Sequence, residues 1–442
     1  MKKILIGFIA IILAVTMVFL GYKTGELIQQ NAPEKAESKV SDSTSSADQN
    51  EGGNAETVKA PVTATVINIG DIIIHDRIFK DAPQDGDNFD FSDFFKVADS
   101  RFKAADYAVA NLEVTLAGPT PGKAYNGYSG YPAFNSPDCL LDYIKAAGFD
   151  MLLTANNHSY DTRLAGLIRT VQKVKESGLD FIGTKETEAD HTYLVKDING
   201  IKIGMTCFTY ETKSAADGRK SLNGNVLASE AQNLINSFDY NEIDKFYKNA
   251  EEIIAQMKND GADAVVFYMH WGEEYQLKPN SWQKNIAQKL CNLGVDVIVG
   301  GHPHVLQPVS LLHAEGSDRT TVCAYSLGNA ISNQRRELIS SKPTGHTEDG
   351  AIFTYTFTKM PDGTTALTSV DLVPTWVDKY SVGGKARYTM YPIDNAEAVN
   401  SYGLSAATVS KLSESYARSK AIVAEGLTEC QKALGCEIRF KD

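Results

Sequence analysis

The sequence predicts an α/β fold, and three observations carry that expectation. From Pro61 onward, short apolar runs alternate with stretches of helical spacing. The runs are rich in Val, Ile, Leu and Phe, as strands buried on both faces are. Several of them stop abruptly at a carboxylate, an amide or a histidine.

In chain order, 62–69 reads as a buried strand ending in Gly70-Asp71, 91–104 as a helix, and 107–111 as a strand leading to Glu113. Residues 149–154 form a strand before Asn156-Asn157-His158, 162–177 a helix, and 179–183 a short strand. A hairpin over 192–208 turns at Asn199-Gly200, a dipeptide suited to a tight turn. A helix at 243–257 precedes a strand at 264–269 that leads to His270. A helix at 282–293 precedes a strand at 295–299 that leads to Gly300-Gly301-His302, and 321–325 leads to Ser326-Leu327-Gly328-Asn329. Strands follow at 351–358 and 367–373. Residues 117–137 and 213–236 read as long irregular loops, which often rim functional sites. From Asp394 the chain is polar and helix-compatible.

The chain has 442 residues, enough for a large core with appendages. Its formal net charge of −12 argues against a nucleic-acid partner, whose phosphates need a basic surface. The six cysteines include no CxxC pair, so neither a zinc knuckle nor a thioredoxin-type motif is supported. Cys430 and Cys436 could pair in an oxidising compartment or remain two thiols on a helical tail.

Lys2 and Lys3 precede an uncharged apolar run over 4–21. Roughly 18 apolar residues just suffice to span hydrocarbon as a helix. The preceding lysines keep the N-terminus in the cytoplasm and place the rest outside. A cleaved signal peptide is the rival reading, but Val18-Phe19-Leu20-Gly21-Tyr22 is a poor cleavage site. The expectation is therefore a single-pass anchor over 1–22 and an extracytoplasmic domain at the cell membrane. Residues 23–60 are mostly Ser, Asp, Glu, Asn, Gly and Ala in their latter part, and read as a flexible tether.

Asp71, Glu113, Asn157, His158, His270, His302 and His304 all fall just past predicted strands, the edge where α/β sheets gather ligands. Taken singly, each has a plainer reading. Gly-Asp after a strand is usually a turn, Asn156-Asn157-His158 suits a helix cap, and His270 beside Trp271 suits a buried ring bonded to a carbonyl. The sharpest piece is Gly301-His302-Pro303-His304, whose imidazoles face the same way if the segment is extended. Together, carboxylates and imidazoles from separate loops suit a borderline divalent metal: zinc, manganese or iron.

The ordered blocks Gly70-Asp71, Asn111-Leu112-Glu113, Asn156-Asn157-His158-Ser159-Tyr160-Asp161, His270-Trp271-Gly272, Gly301-His302-Pro303-His304 and Tyr325-Ser326-Leu327-Gly328-Asn329 resemble the capsule-synthesis CapA family. That family is linked to poly-γ-glutamate production and sits within the calcineurin-like metallophosphatase superfamily. The resemblance implies a four-layer α/β/β/α sandwich over 61–380, two divalent metal ions, and a partly helical tail over 381–442. By position, Asp71 and His304 would hold one ion, Asn157, His270 and His302 the other, and Glu113 would bridge. His158 would be the acid beside the leaving group, oriented by Asp161.

The sequence departs from the superfamily pattern in places. Ile73 stands where the first motif has a histidine, and the nearest one is His75, either at the metal or on the rim. Glu113 replaces an aspartate, and Ala330 an aromatic residue. Arg77, Arg335 and Arg336 could add local positive charge or simply be solvated. The expected role is polymer synthesis or export with a metal-dependent hydrolase or transferase site. Its partners would be the membrane, polymer-synthesis membrane proteins and poly-γ-glutamate. The alternatives are a non-catalytic metal-binding assembly component and a secreted phosphoesterase.

Overall fold

The computed structural model describes residues 60–85, 88–120, 122–340 and 344–441. The apolar run 4–21 and the tether up to Lys59 lie outside them. Among the described residues no helix is long and apolar enough to cross a membrane.

The fold is mixed α/β and built on two large sheets. The first has eight strands, in the order Lys385–Pro392, Thr365–Val382, Asp349–Lys359, Val62–Ile72, Tyr107–Leu112, Met151–Leu153 and Asp180–Ile182, with Asn329–Ile331 pairing beside Val62–Ile72. Val62–Ile72 runs parallel to Tyr107–Leu112, setting Asp71 opposite Asn111, and antiparallel to Asp349–Lys359. The second has seven strands. Ser237–Phe238, Ile201–Tyr210, Ala264–His270, Val297–Gly301, Thr320–Ala324 and Val309–His313 lie in that order, and Tyr193–Ile198 pairs with Ile201–Tyr210. The hairpin between those last two turns at Asn199-Gly200, both at positive φ (55° and 84°).

Side-chain alternation divides the core. Ala264, Val266 and Tyr268 face a cluster shared with Ala64, Val66, Tyr107 and Val109 of the first sheet. Val265, Phe267 and Met269 point the other way, onto Phe246, Ile253 and Ile286 of helices Ile243–Asn259 and Ser281–Leu293. Ile67, Ile69 and Ala108 face a third cluster with Phe102, Leu140 and Ile144 of helices Asp99–Ala104 and Leu140–Ala146. Both faces of the central strands are thus dry, which is why they read as unbroken apolar runs. Each fully buried Val, Ile, Leu or Phe stabilises the fold by about 1.5–3 kcal/mol.

Two segments depart from their sequence pattern. The helix expected over 91–104 is confined to Asp99–Ala104. Residues 92–98 wind as turns, with Phe94 N bonded to Phe91 O and Ala98 N to Phe95 O. These turns bring Phe91 against Phe89, and Phe95 against Phe102 and Phe149. The polar C-terminal stretch contains one 29-residue helix, Ala406–Leu434, capped by Ser405 and stopped by left-handed Gly435. Its buried face mixes Leu412, Val423 and Leu427 with Ser415, Ser419 and Gln431. All six cysteines are free thiols, so Cys430 and Cys436 are not bridged.

Candidate metal centre

The parallel strands of both sheets deliver their carboxyl ends to one place. Asp71 is the penultimate residue of Val62–Ile72, Glu113 follows Tyr107–Leu112, His270 ends Ala264–His270, and His302 follows Val297–Gly301. Glycines let the two edges meet. A Cβ on Gly70 would lie 2.0 Å from Gly328 O, and one on Gly301 would lie 2.8 Å from Asp71 Oδ1.

Asp71, Glu113, Asn157, His158, Asp161, His270, His302 and His304 are all buried. Asp71 Oδ2 lies 3.1 Å from His304 Nδ1 and accepts the His302 backbone amide at 3.3 Å. Glu113 Oε1 stands 3.5 Å from His270 Nε2 and 3.6 Å from His304 Nε2. Asn157 Oδ1 lies 2.8 Å from His270 Nε2. Beside this cluster, His158 Nδ1 meets Asp161 Oδ2 at 2.7 Å.

The donor set fits a cation. Among the described residues Glu113 Oε1 and His302 Nδ1 are buried with no hydrogen-bond partner, a costly condition for groups that hold a lone pair. Among the described residues, two groups have ligand atoms within 4.8 Å of one another: Glu113 with His302 and His304, and Asp71 with Glu113 and His270. Glu113 is common to both. The two groups are drawn from carboxylates and imidazoles alone and so leave out Asn157; the pairs implied by the resemblance, Asp71 with His304 and Asn157 with His270, are also in contact, at 3.1 and 2.8 Å.

The electrostatics agree with this fit. Burial pulls His304 down, but the charge of Glu113 and the bond and charge of Asp71 outweigh it and hold the imidazole at about 9. Burial pushes Asp71 up, yet His304, His270 and the Asn111 amide bring it below the usual carboxylate range. His302 is driven well below its ordinary value by burial and by neighbouring His270, His304 and His158. It therefore stays a neutral imidazole, as a ligand must, whereas His304, held cationic between the two carboxylates, has to release its second proton when an ion takes its place.

The His-x-His segment is not extended. His302 and His304 both have positive φ, 94° and 55°, and their ring centroids are 6.0 Å apart. Each ring is aimed by its own turn, not by strand alternation. Such backbone is unusual for a side chain with a Cβ and gathers at functional sites. Of the seven non-glycine residues at positive φ among those described, His302 and His304 are joined here by Arg163 beside Asp161 O, Asn223 beside Asn157, and Tyr275, whose ring lies 6.4 Å from His304.

His75 is half-buried and lies outside both ligand groups. Its Nδ1 is 3.3 Å from both Ile73 O and Asn333 N, and its ring meets Phe134 edge-on. Arg335 and Arg336 do not supply free positive charge, because both are committed to Glu348 at 3.3 and 3.0 Å. Arg77 pairs with Asp81.

Sequence reasoning gave no roles to four amides. Asn111 Nδ2 donates to Asp71 Oδ1 at 2.8 Å and lies 3.5 Å from Glu113 Oε2. Asn156 Nδ2 holds Leu112 O at 2.8 Å. Asn329 Oδ1 sits 3.1 Å from His304 Nδ1. Asn223 reaches Asn157 from a separate hairpin. An amide within the apolar run 107–112 is the signal that could have exposed Asn111. Asn223, in an Asn-Gly turn, carried none.

The fold and cluster define the class, an α/β protein with a buried carboxylate–imidazole centre where two sheets meet. Comparison with known proteins narrows it. The family model described as bacterial capsule synthesis protein PGA_cap matches residues 65–334, and the chain belongs to that family. It is 27% identical over 326 residues to the PGA biosynthesis protein CapA of Bacillus subtilis (strain 168), covering 72% of this chain and 76% of that one. It is 28% identical over 271 residues to the capsule biosynthesis protein CapA of Bacillus anthracis, covering 61% and 60%. An uncharacterized protein of Sinorhizobium fredii, y4sH, is 22% identical over 323 residues, 60% of this chain and 65% of its own.

Proposed function

We propose that this chain is a membrane-tethered, extracytoplasmic component of capsule or poly-γ-glutamate synthesis or export, with a dinuclear divalent-metal site of hydrolase or transferase type. The observation that carries the metal centre is Glu113, shared by both ligand groups, with Oε1 buried and making no hydrogen bond among the described residues. The two relatives named for capsule and PGA biosynthesis support the pathway. The lysines and apolar run at 2–21 support the tether. The two sheets with their flanking helices are read as the four-layer sandwich of the metallophosphatase superfamily.

On this reading Asp71, Glu113, Asn157, His270, His302 and His304 hold two ions of manganese, iron or zinc. Divalent ions, when bound, supply Lewis acidity toward a phosphoester or glutamyl oxygen and toward water. The chain's own residues do the rest. Asp161 accepts from His158 Nδ1 and so leaves Nε2 to hand a proton to the departing group. Asn111 orients Asp71, and Asn329 faces His304 Nδ1, leaving Nε2 toward Glu113.

A second reading is a non-catalytic metal-binding assembly component. It is favoured by Ile73, which leaves one ion a ligand short. Metal analysis of the purified chain after loading with Mn²⁺ tests both. The expected result is two ions, falling to one or none in Glu113→Gln. No ion in the unaltered chain would overturn the centre. Loss of nitrophenyl phosphate ester turnover in His158→Ala, with ions retained, favours the enzyme. Equal turnover in both favours the assembly role.

A further inference from the structure

We propose that Asn223 is a positioning residue for this centre, fixing which end of the Asn157 amide faces the metal ligands. The inference rests on the metal-site reading above.

Asn223 sits at the tip of a small hairpin pairing Ser221–Leu222 with Asn225–Val226. Asn223 and Gly224 both have positive φ, 47° and 73°. The hairpin is firmly seated. Ser221 and Leu222 are buried, Thr212 Oγ1 accepts Gly224 N at 3.0 Å, and Ala228 N donates to Tyr160 Oη at 3.1 Å. An asparagine in such a turn needs no further explanation from the backbone alone. What distinguishes this one is where its side chain goes. Its Oδ1 accepts Asn157 Nδ2 at 3.1 Å, and its Nδ2 lies 3.4 Å from His158 Nδ1. The second is a packing contact, because that nitrogen already faces Asp161.

An amide has one end that attracts a cation and one that repels it. Asn157 Oδ1 faces His270 Nε2, itself 3.5 Å from Glu113. If Asn157 turned over, its NH₂ would face the ligand cluster and its oxygen would oppose Asn223 Oδ1. The acceptor on Asn223 therefore selects the oxygen-inward state. Supporting groups of this kind typically change metal affinity by about 10–100-fold.

The test uses the full chain, Mn²⁺ titration by calorimetry and thermal unfolding in chelator. Asn223→Gly keeps the left-handed turn and removes the acceptor, whereas Asn223→Asp keeps both. We expect Asn223→Gly to bind one of the ions about tenfold or more weakly. Its unfolding temperature in chelator should change little, because Asn223 is exposed and water can take over the bond to Asn157 Nδ2. Asn223→Asp should restore the affinity. Unaltered affinity in Asn223→Gly, or an equal loss in Asn223→Asp, overturns the positioning role alone. An unaltered chain that binds no Mn²⁺ overturns this inference and the metal-site reading together.

Discussion

His158 Nδ1 lies 2.7 Å from Asp161 Oδ2, and the same oxygen accepts the Phe134 amide at 2.8 Å. One carboxylate oxygen thus ties the candidate acid to the long loop that rims the site. Asp161→Ala removes both bonds and leaves a buried amide unpaired, costing about 1–3 kcal/mol of stability. If His158 transfers a proton, turnover falls by about 10²–10⁴. Asp161→Asn can keep both bonds through its amide oxygen and lose only the charge, so its stability should hold and its turnover fall less. Urea unfolding and hydrolysis of a nitrophenyl phosphate ester check the pair, with metal content the same in all three proteins. Undiminished turnover in Asp161→Ala would remove the dyad from the mechanism.

Asp71, Glu113, His270 and His302 were legible in the sequence because each ends or follows a run too apolar to be anything but a buried strand. The supporting amides were not. Asn156 and Asn223 sit in sequences that any cap or turn would also use, and only tertiary contacts separate those roles. The shape of 301–304 was hidden for a related reason. Two residues apart implies one face only in an extended chain, and His302 and His304 are both left-handed. The aromatic stretch 91–98 matched helical spacing, yet packing of Phe91 and Phe95 on their neighbours favours turns. In helix Ala406–Leu434, a buried face that includes Ser415, Ser419 and Gln431 carries too weak an apolar signal to announce its packing.

The His75 ring should make the metal-free fold acid-sensitive. Burial depresses it to about 4, helped by the nearby charges of His304 and His158 and opposed by the Ile73 carbonyl and Asp76. Its folded value lies below the unfolded one of about 6.5. The stability it contributes is therefore complete above pH 6.5 and is lost as pH falls toward 4, because the unfolded chain takes up a proton that the folded ring refuses. The full swing is at most about 3 kcal/mol, less where water reaches the half-buried ring. His75→Gln keeps a polar side chain near Asn333 N but cannot titrate. Urea unfolding in chelator at pH 7.5 and 5 should show a shallower acid loss for the variant. Parallel pH dependences would mean that His75 does not report this burial.

Arg418 locks the C-terminal helix to the sheet beside the centre. Its Nη2 donates to Asp349 Oδ1 at 2.7 Å and to Gly345 O at 3.2 Å, while Ser415 Oγ donates to the same carboxylate at 2.6 Å. Burial raises Asp349, and Arg418 and Ser415 hold it back to about 7. Arg418→Met leaves that carboxyl buried without its partner, a change that costs about 3–5 kcal/mol. Without the guanidinium the carboxyl keeps its proton to still higher pH. The folded variant then binds a proton that the folded unaltered chain releases above about 7, so the deficit should stay level between pH 5 and 6 and widen as pH rises through 7 to 8. Urea unfolding across that range measures it. The same segment touches the centre, since Thr347 O accepts Asn329 Nδ2 at 3.0 Å and Asn329 Oδ1 faces His304. The link to His304 runs through Asn329 and not through a bond from Arg418 to a ligand, so stability should fall far more than Mn²⁺ affinity. A variant that lost its metal while keeping its stability would show that the helix serves the site before it serves the fold.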